Sequence, residues 1–258
     1  MLYYRLKGDK RGILGVLIDK RKYLEAMQLL EGLNCDCLAQ CLDDSFEMLF
    51  LHTTKMLLPL IIGRNLQVHF LHRIALVALM NENLISIEDR RALSEFLWNE
   101  VICSLDNRSS LHPAIVNTCL IYLIKYAEPK QREDRLTRLF FELLTTYPIF
   151  GIVESVEAAM ESFGLQRFKP WLKLFCGAYA DAIEEILLSK DPYGSVVLET
   201  IVTSAVIDDD KKAECLKCFM SLRQLSLVDP TISIDFSNNT LSQLLDSDRF
   251  KDDLFQVS

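Results

Sequence analysis

Four histidines and eight cysteines are the residues of this chain best suited to hold a metal or attack a substrate. His69 and His72 stand three apart with Phe70 and Leu71 between them. On a helix that spacing puts both imidazoles on one side, where they could share a metal. No acidic residue lies between Arg64 and Asn81 to complete a ligand set, so the plainer reading is histidines at the surface or the edge of the core. Among the cysteines, Cys35 and Cys37 with Cys41, and Cys215 with Cys218, have the only metal-like spacings. Zinc would need the two groups to meet across most of the chain. Cys103, Cys119 and Cys176 sit among apolar neighbours, where a free thiol behaves as a small buried hydrophobe. Neither a metal nor a cofactor is expected, and with no export signal disulfides are not expected either.

Other chemistry leaves no trace. The nine glycines are scattered, with no GxGxxG and no phosphate-cradling GKS/T. There is no GxSxG, HExxH or DxDxDG. Carboxylates are plentiful, but none is marked as one of an acid–base pair. A non-enzymatic protein is expected.

One stretch is more specific. Residues Ile186 to Val202 contain Asp191-Pro-Tyr-Gly194 followed by Ser195, Val196 and Glu199. This resembles about one half-repeat of the Pumilio-type RNA-binding proteins, whose units carry a similar Pro-Tyr-Gly turn before the base-reading helix. The resemblance implies Ser195 and Glu199 at the edge of one base, guanine by the family's pattern, with Val196 in the stacking position. The base-reading pattern does not recur around Pro113 or Pro148. The alternative is structural: Tyr193-Gly194 makes a turn and Ser195 caps a helix.

The elements that must position these residues read as helical almost throughout. Leu136, Leu139, Phe140, Leu143 and Leu144 repeat at three- and four-residue steps, as do Tyr23, Leu24, Met27 and Leu30 before Gly32. Ser86 can cap a helix whose apolar stripe is Leu93, Phe96, Leu97 and Val101. Val116, Leu120, Leu123, Ile124 and Ala127, widened by Cys119 and Ile121, need cover on more than one side. About twelve helices and essentially no sheet are expected.

Pro113, Pro148, Pro192 and Pro230 each precede an apolar helical segment, at separations of 35, 44 and 38 residues. Proline suits a first helical turn. The spacing reads as a degenerate two-helix hairpin repeat, clearer over 111–258 than over 1–110, where Pro59 is out of phase. Over about residues 87–245 this resembles HEAT- and armadillo-like repeat proteins in period and apolar pattern. The expected fold is all-α, with antiparallel helical hairpins stacked as an irregular α-solenoid. The chain reads as one domain over 1–258, and its abrupt apolar and basic start is that of a domain cut from a longer chain.

The net charge of −8 argues against a protein devoted to a phosphate backbone. Residues 1–22 hold seven basic side chains against two acidic ones, and residues 181–258 hold fifteen acidic against seven basic. The plainer reading is solvated faces at two ends of an elongated body. The sharper one is that an end docks an oppositely charged partner, basic for the acidic end and acidic for the basic one, or packs against the next molecule. No apolar run approaches the roughly 20 residues of a membrane span; Lys55 and Arg64 bracket the densest, Met56–Gly63. The first twenty residues lack the pattern of a signal peptide. The expectation is an intracellular scaffold or adaptor whose partners are other proteins in a complex, with no membrane insertion; RNA is the partner in the alternative. Trp98, Phe168 and Trp171 could anchor a partner, though helix packing is the plainer role for each.

Overall fold

A computed structural model describes residues 9–107, 111–146 and 154–228. Among them are twelve α-helices and no strand: α1 Lys10–Asp19, α2 Tyr23–Glu31, α3 Cys35–Gly63, α4 Gln67–Met80, α5 Ile87–Asp106, α6 Pro113–Tyr126, α7 Pro129–Thr146, α8 Glu154–Ser162, α9 Lys169–Phe175, α10 Tyr179–Leu188, α11 Gly194–Thr203 and α12 Asp209–Gln224. Short 3₁₀ turns occupy Glu82–Leu84 and Gln166–Phe168. The protein is all-helical, as the apolar periodicity requires. It divides into two compact units, α1–α6 and α7–α12, with the residues from Leu105 onward at the end of α5 grouped with the second.

The first unit opens on Asp9, whose carboxylate accepts the Gly12 N–H at 2.9 Å and caps α1. In α2, Ala26, Met27 and Leu30 turn inward, and Gly32 follows the last helical residue. The notable element is α3. Asn34 caps it, and its 29 residues would extend about 43 Å if straight. Yet Sγ of Cys35, its first residue, lies 3.7 Å from the carbonyl of Arg64, just beyond its last. The Arg64 guanidinium also donates to the Glu31 carbonyl at 3.0 Å. α3 is therefore doubled back on itself. The bend is at Thr53, which leaves helical geometry at φ −139° and ψ 27°. The Thr53 and Thr54 hydroxyls donate to the Leu49 and Phe50 carbonyls at 2.6 and 2.5 Å, back-bonding of the kind that often accompanies bent helices. Pro59 sits in the second arm.

By length and composition α3 passes for a membrane span, which corrects the reading that no stretch does: the window extends across Lys55 into the first arm. In the fold it is two short arms whose Phe46, Phe50, Leu57 and Ile61 are buried.

α4 packs on α6, where the Tyr122 hydroxyl donates to the Ala78 carbonyl at 2.9 Å. Residues 115–124 of α6 are buried without interruption, so this helix is covered on every side. Ser86 caps α5 by accepting the Asp89 N–H at 3.1 Å, and Ser94 ties α5 to the Tyr122 carbonyl at 3.2 Å.

In the second unit, Leu136, Leu139, Phe140, Leu143 and Leu144 form the buried stripe of α7. Phe140 meets Phe168, Trp171 and Phe175 at ring separations of 5.7, 5.8 and 5.5 Å. α10 packs against α9, α11 and α12, and α11 also reaches α7. Pro113 is the first residue of α6. Pro192 instead lies in the turn before α11, while Pro129 and Pro170 also stand at helix starts. Pro148 and Pro230 fall outside the described residues.

Candidate interaction surfaces

The Asp191-Pro-Tyr-Gly turn is built around Asp191. One carboxylate oxygen accepts the Tyr193 N–H at 2.9 Å, the other accepts the Trp171 indole N–H at 3.3 Å, and its carbonyl accepts the Gly194 N–H at 2.9 Å. A Cβ on Gly194 would meet a Leu187 methyl at 3.2 Å and an Ile186 methyl at 3.5 Å, so the glycine lets α11 close on α10. The helix start is Tyr193, without a side-chain cap bond, and the expectation that Ser195 caps α11 is corrected.

Val196 and Glu199 are exposed and Ser195 is half-buried, so the three share an accessible face of α11. Thr200 and Thr203 bond back to the Val196 and Glu199 carbonyls and stay local. α11 contributes no basic side chain.

Trp98, Phe168 and Trp171 are buried, which removes them as exposed anchors and makes them packing residues. The Asp208–Asp210 run opens α12. Asp209 pairs with Lys212 at 2.8 Å, and that lysine side chain is only 6% exposed.

The cysteines follow burial. Cys41, Cys119 and Cys215 are buried, whereas Cys35, Cys37, Cys103 and Cys176 are exposed, against the expectation of core packing for Cys103 and Cys176. Burial pushes the Cys215 thiol up to about 12 and also raises Cys41 and Cys218, so these thiols stay protonated. Among the described residues no group of three or more metal-binding side chains assembles. The histidines separate. His69 lies 3.4 Å from the Asp43 carboxylate, His52 stacks on Tyr23, and His72 meets His112.

The surface that sequence reasoning missed lies on the first unit. Val68 is 90% exposed, Met80 80% and Leu84 68%, with Ile87 beyond them. Val68, His72 and Leu76 succeed one another at four-residue steps along α4. The one charged side chain of α4, Arg73, is committed to Asp43 at 3.1 Å and lies over the Phe46 ring. The signal was present: α4 has apolar residues on both faces and no carboxylate.

Nearby, Glu82 is half-buried and takes Lys125 at 3.0 Å together with the Tyr126 hydroxyl. Burial alone would raise its carboxyl, but these donors win and hold it below the usual range.

No protein-family model matches the chain, and neither the curated proteins nor the solved structures contain a match to it.

Proposed function

We propose that this protein is a non-enzymatic interaction module, a scaffold or adaptor subunit of an intracellular complex, built from helical hairpins stacked in the HEAT- and armadillo-like manner. The observation that supports it most is a set of exposed apolar side chains, Val68, Met80, Leu84 and Ile87, on a unit whose large aromatics Phe46, Phe50, Phe70 and Tyr122 are all inside. Large apolar side chains left exposed in this number gain by being covered. The fitting partner is an apolar helix face of another protein, because apolar side chains are covered best by apolar ones. Affinity purification of the tagged chain from its own cells, with and without ribonuclease, tests the reading. A stoichiometric protein partner that survives ribonuclease and is lost in a Val68→Glu/Met80→Glu variant is expected. Retention of that partner by the variant would remove these side chains from the proposal.

The second reading is a Pumilio-like RNA-binding repeat protein. It is favoured by the shared, accessible face of Ser195, Val196 and Glu199 on α11. RNA crosslinked to the wild-type chain but not to a Ser195→Ala/Glu199→Ala variant would establish it. Equal crosslinking by both would end it.

A further inference from the structure

The sequence spacing pairs His69 with His72, but the fold pairs His72 with His112, 40 positions further on. Their ring centres are 4.7 Å apart and their planes are tilted by 58°, which is no stacking arrangement. Two imidazoles on one ion, each at about 2.0–2.1 Å, have ring centres about 4.5 Å apart when the ligand angle is a right angle and about 5.2 Å apart when it is tetrahedral. The observed separation falls between these values. Both histidines are exposed, so water can fill the remaining positions. Neither α4 nor α6 carries a carboxylate, which leaves nothing to attract Mg²⁺ or Ca²⁺.

We propose that His72 and His112 form a two-imidazole site for a borderline divalent cation of the Ni²⁺, Cu²⁺ or Zn²⁺ class. The site carries a built-in competitor. Nδ1 of His112 accepts the Ala114 N–H at 3.2 Å and caps α6. A ring coordinated through Nε2 carries its proton on Nδ1, and a ring coordinated through Nδ1 has no lone pair left there. Either way the cap is released when the ion binds. Occupancy therefore fixes the start of α6 to α4 while freeing the Ala114 N–H.

The test is calorimetric titration of the full chain with NiCl₂, together with paramagnetic broadening of backbone amide resonances. One site of micromolar affinity is expected, with broadening centred on residues 72 and 112–114. His72→Ala removes a ligand and leaves the cap. His112→Asn removes the other ligand while supplying a strong capping side chain. Each should weaken binding on the order of 10-fold or more. No binding by the wild-type chain would overturn the proposal. So would undiminished affinity in either variant, or heat that disappears when the exposed cysteines are alkylated.

Discussion

The Trp171 indole N–H ends on the carboxylate of Asp191, twenty positions away, over 3.3 Å. The same carboxylate holds the Tyr193 N–H, so one side chain fixes both the aromatic core of the second unit and the entry into α11. Asp191→Ala would strand a buried indole N–H and undo the turn, a loss of about 1–3 kcal/mol. Urea unfolding followed by tryptophan fluorescence measures it. Asp191→Asn keeps one acceptor and should fall between the two; equal stability of all three proteins would show that the turn holds itself.

Four helix ends place a non-glycine residue in the left-handed region: Arg21, Asn65, Lys190 and Ser226, at φ 54–56°. At each, the following amide reaches back to close the end, as Asp191 does to the Ile186 carbonyl at 3.2 Å. Glycine takes this geometry without strain, so Lys190→Gly should stabilise the fold by about 0.5–1 kcal/mol, after the added flexibility of the unfolded chain. An unchanged or lower urea midpoint would contradict this.

In the acidic run 208–210, Asp209 is the residue paired with the buried Lys212. Asp209 is itself 73% exposed, so the pair is worth little as a Coulomb contact, but losing it leaves a buried ammonium without that carboxylate. Asp209→Ala should cost about 1 kcal/mol, and Asp208→Ala much less. Thermal denaturation of the two single variants separates them. Lys212→Met should rescue Asp209→Ala.

Glu82 gives the first unit an acid sensitivity. Its folded carboxyl titrates below the unfolded one. The stability it contributes is therefore present above the unfolded value of about 4.5 and is lost as pH falls through the folded value. Glu82→Gln should be less stable at neutral pH and show a flatter dependence as pH falls below about 5. Parallel pH profiles for wild type and variant would argue against it.

Much of the fold was legible because apolar residues at three- and four-residue steps leave few alternatives: the stripes of α5 and α7, the Ser86 cap and Pro113 at the start of α6 all follow from local chemistry. The bend at Thr53 was not legible. No glycine or proline marks it, Pro59 lies six positions later, and the bend is held by contacts from Glu31, Cys35 and Arg64 that are distant in sequence. The Pro192 turn resembled a helix start because Pro-Tyr-Gly fits both, and the Asp191 bonds decide between them. The histidine grouping failed for a similar reason. Spacing tells which side chains share a helix face, but the neighbouring helices, Asp43 on one and His112 on another, choose what each one meets.

The doubled-back α3 also sets an order of events during synthesis. Its first arm, residues 35–52, carries Leu38, Leu42, Phe46, Leu49 and Phe50, all buried in the finished unit. Their cover depends partly on residues 54–63 and on α4, which leave the ribosome later. At about 5–20 residues per second, those segments follow the first arm by about half a second to several seconds. In that interval the nascent chain exposes the apolar face of the first arm, a surface open to capture by a chaperone.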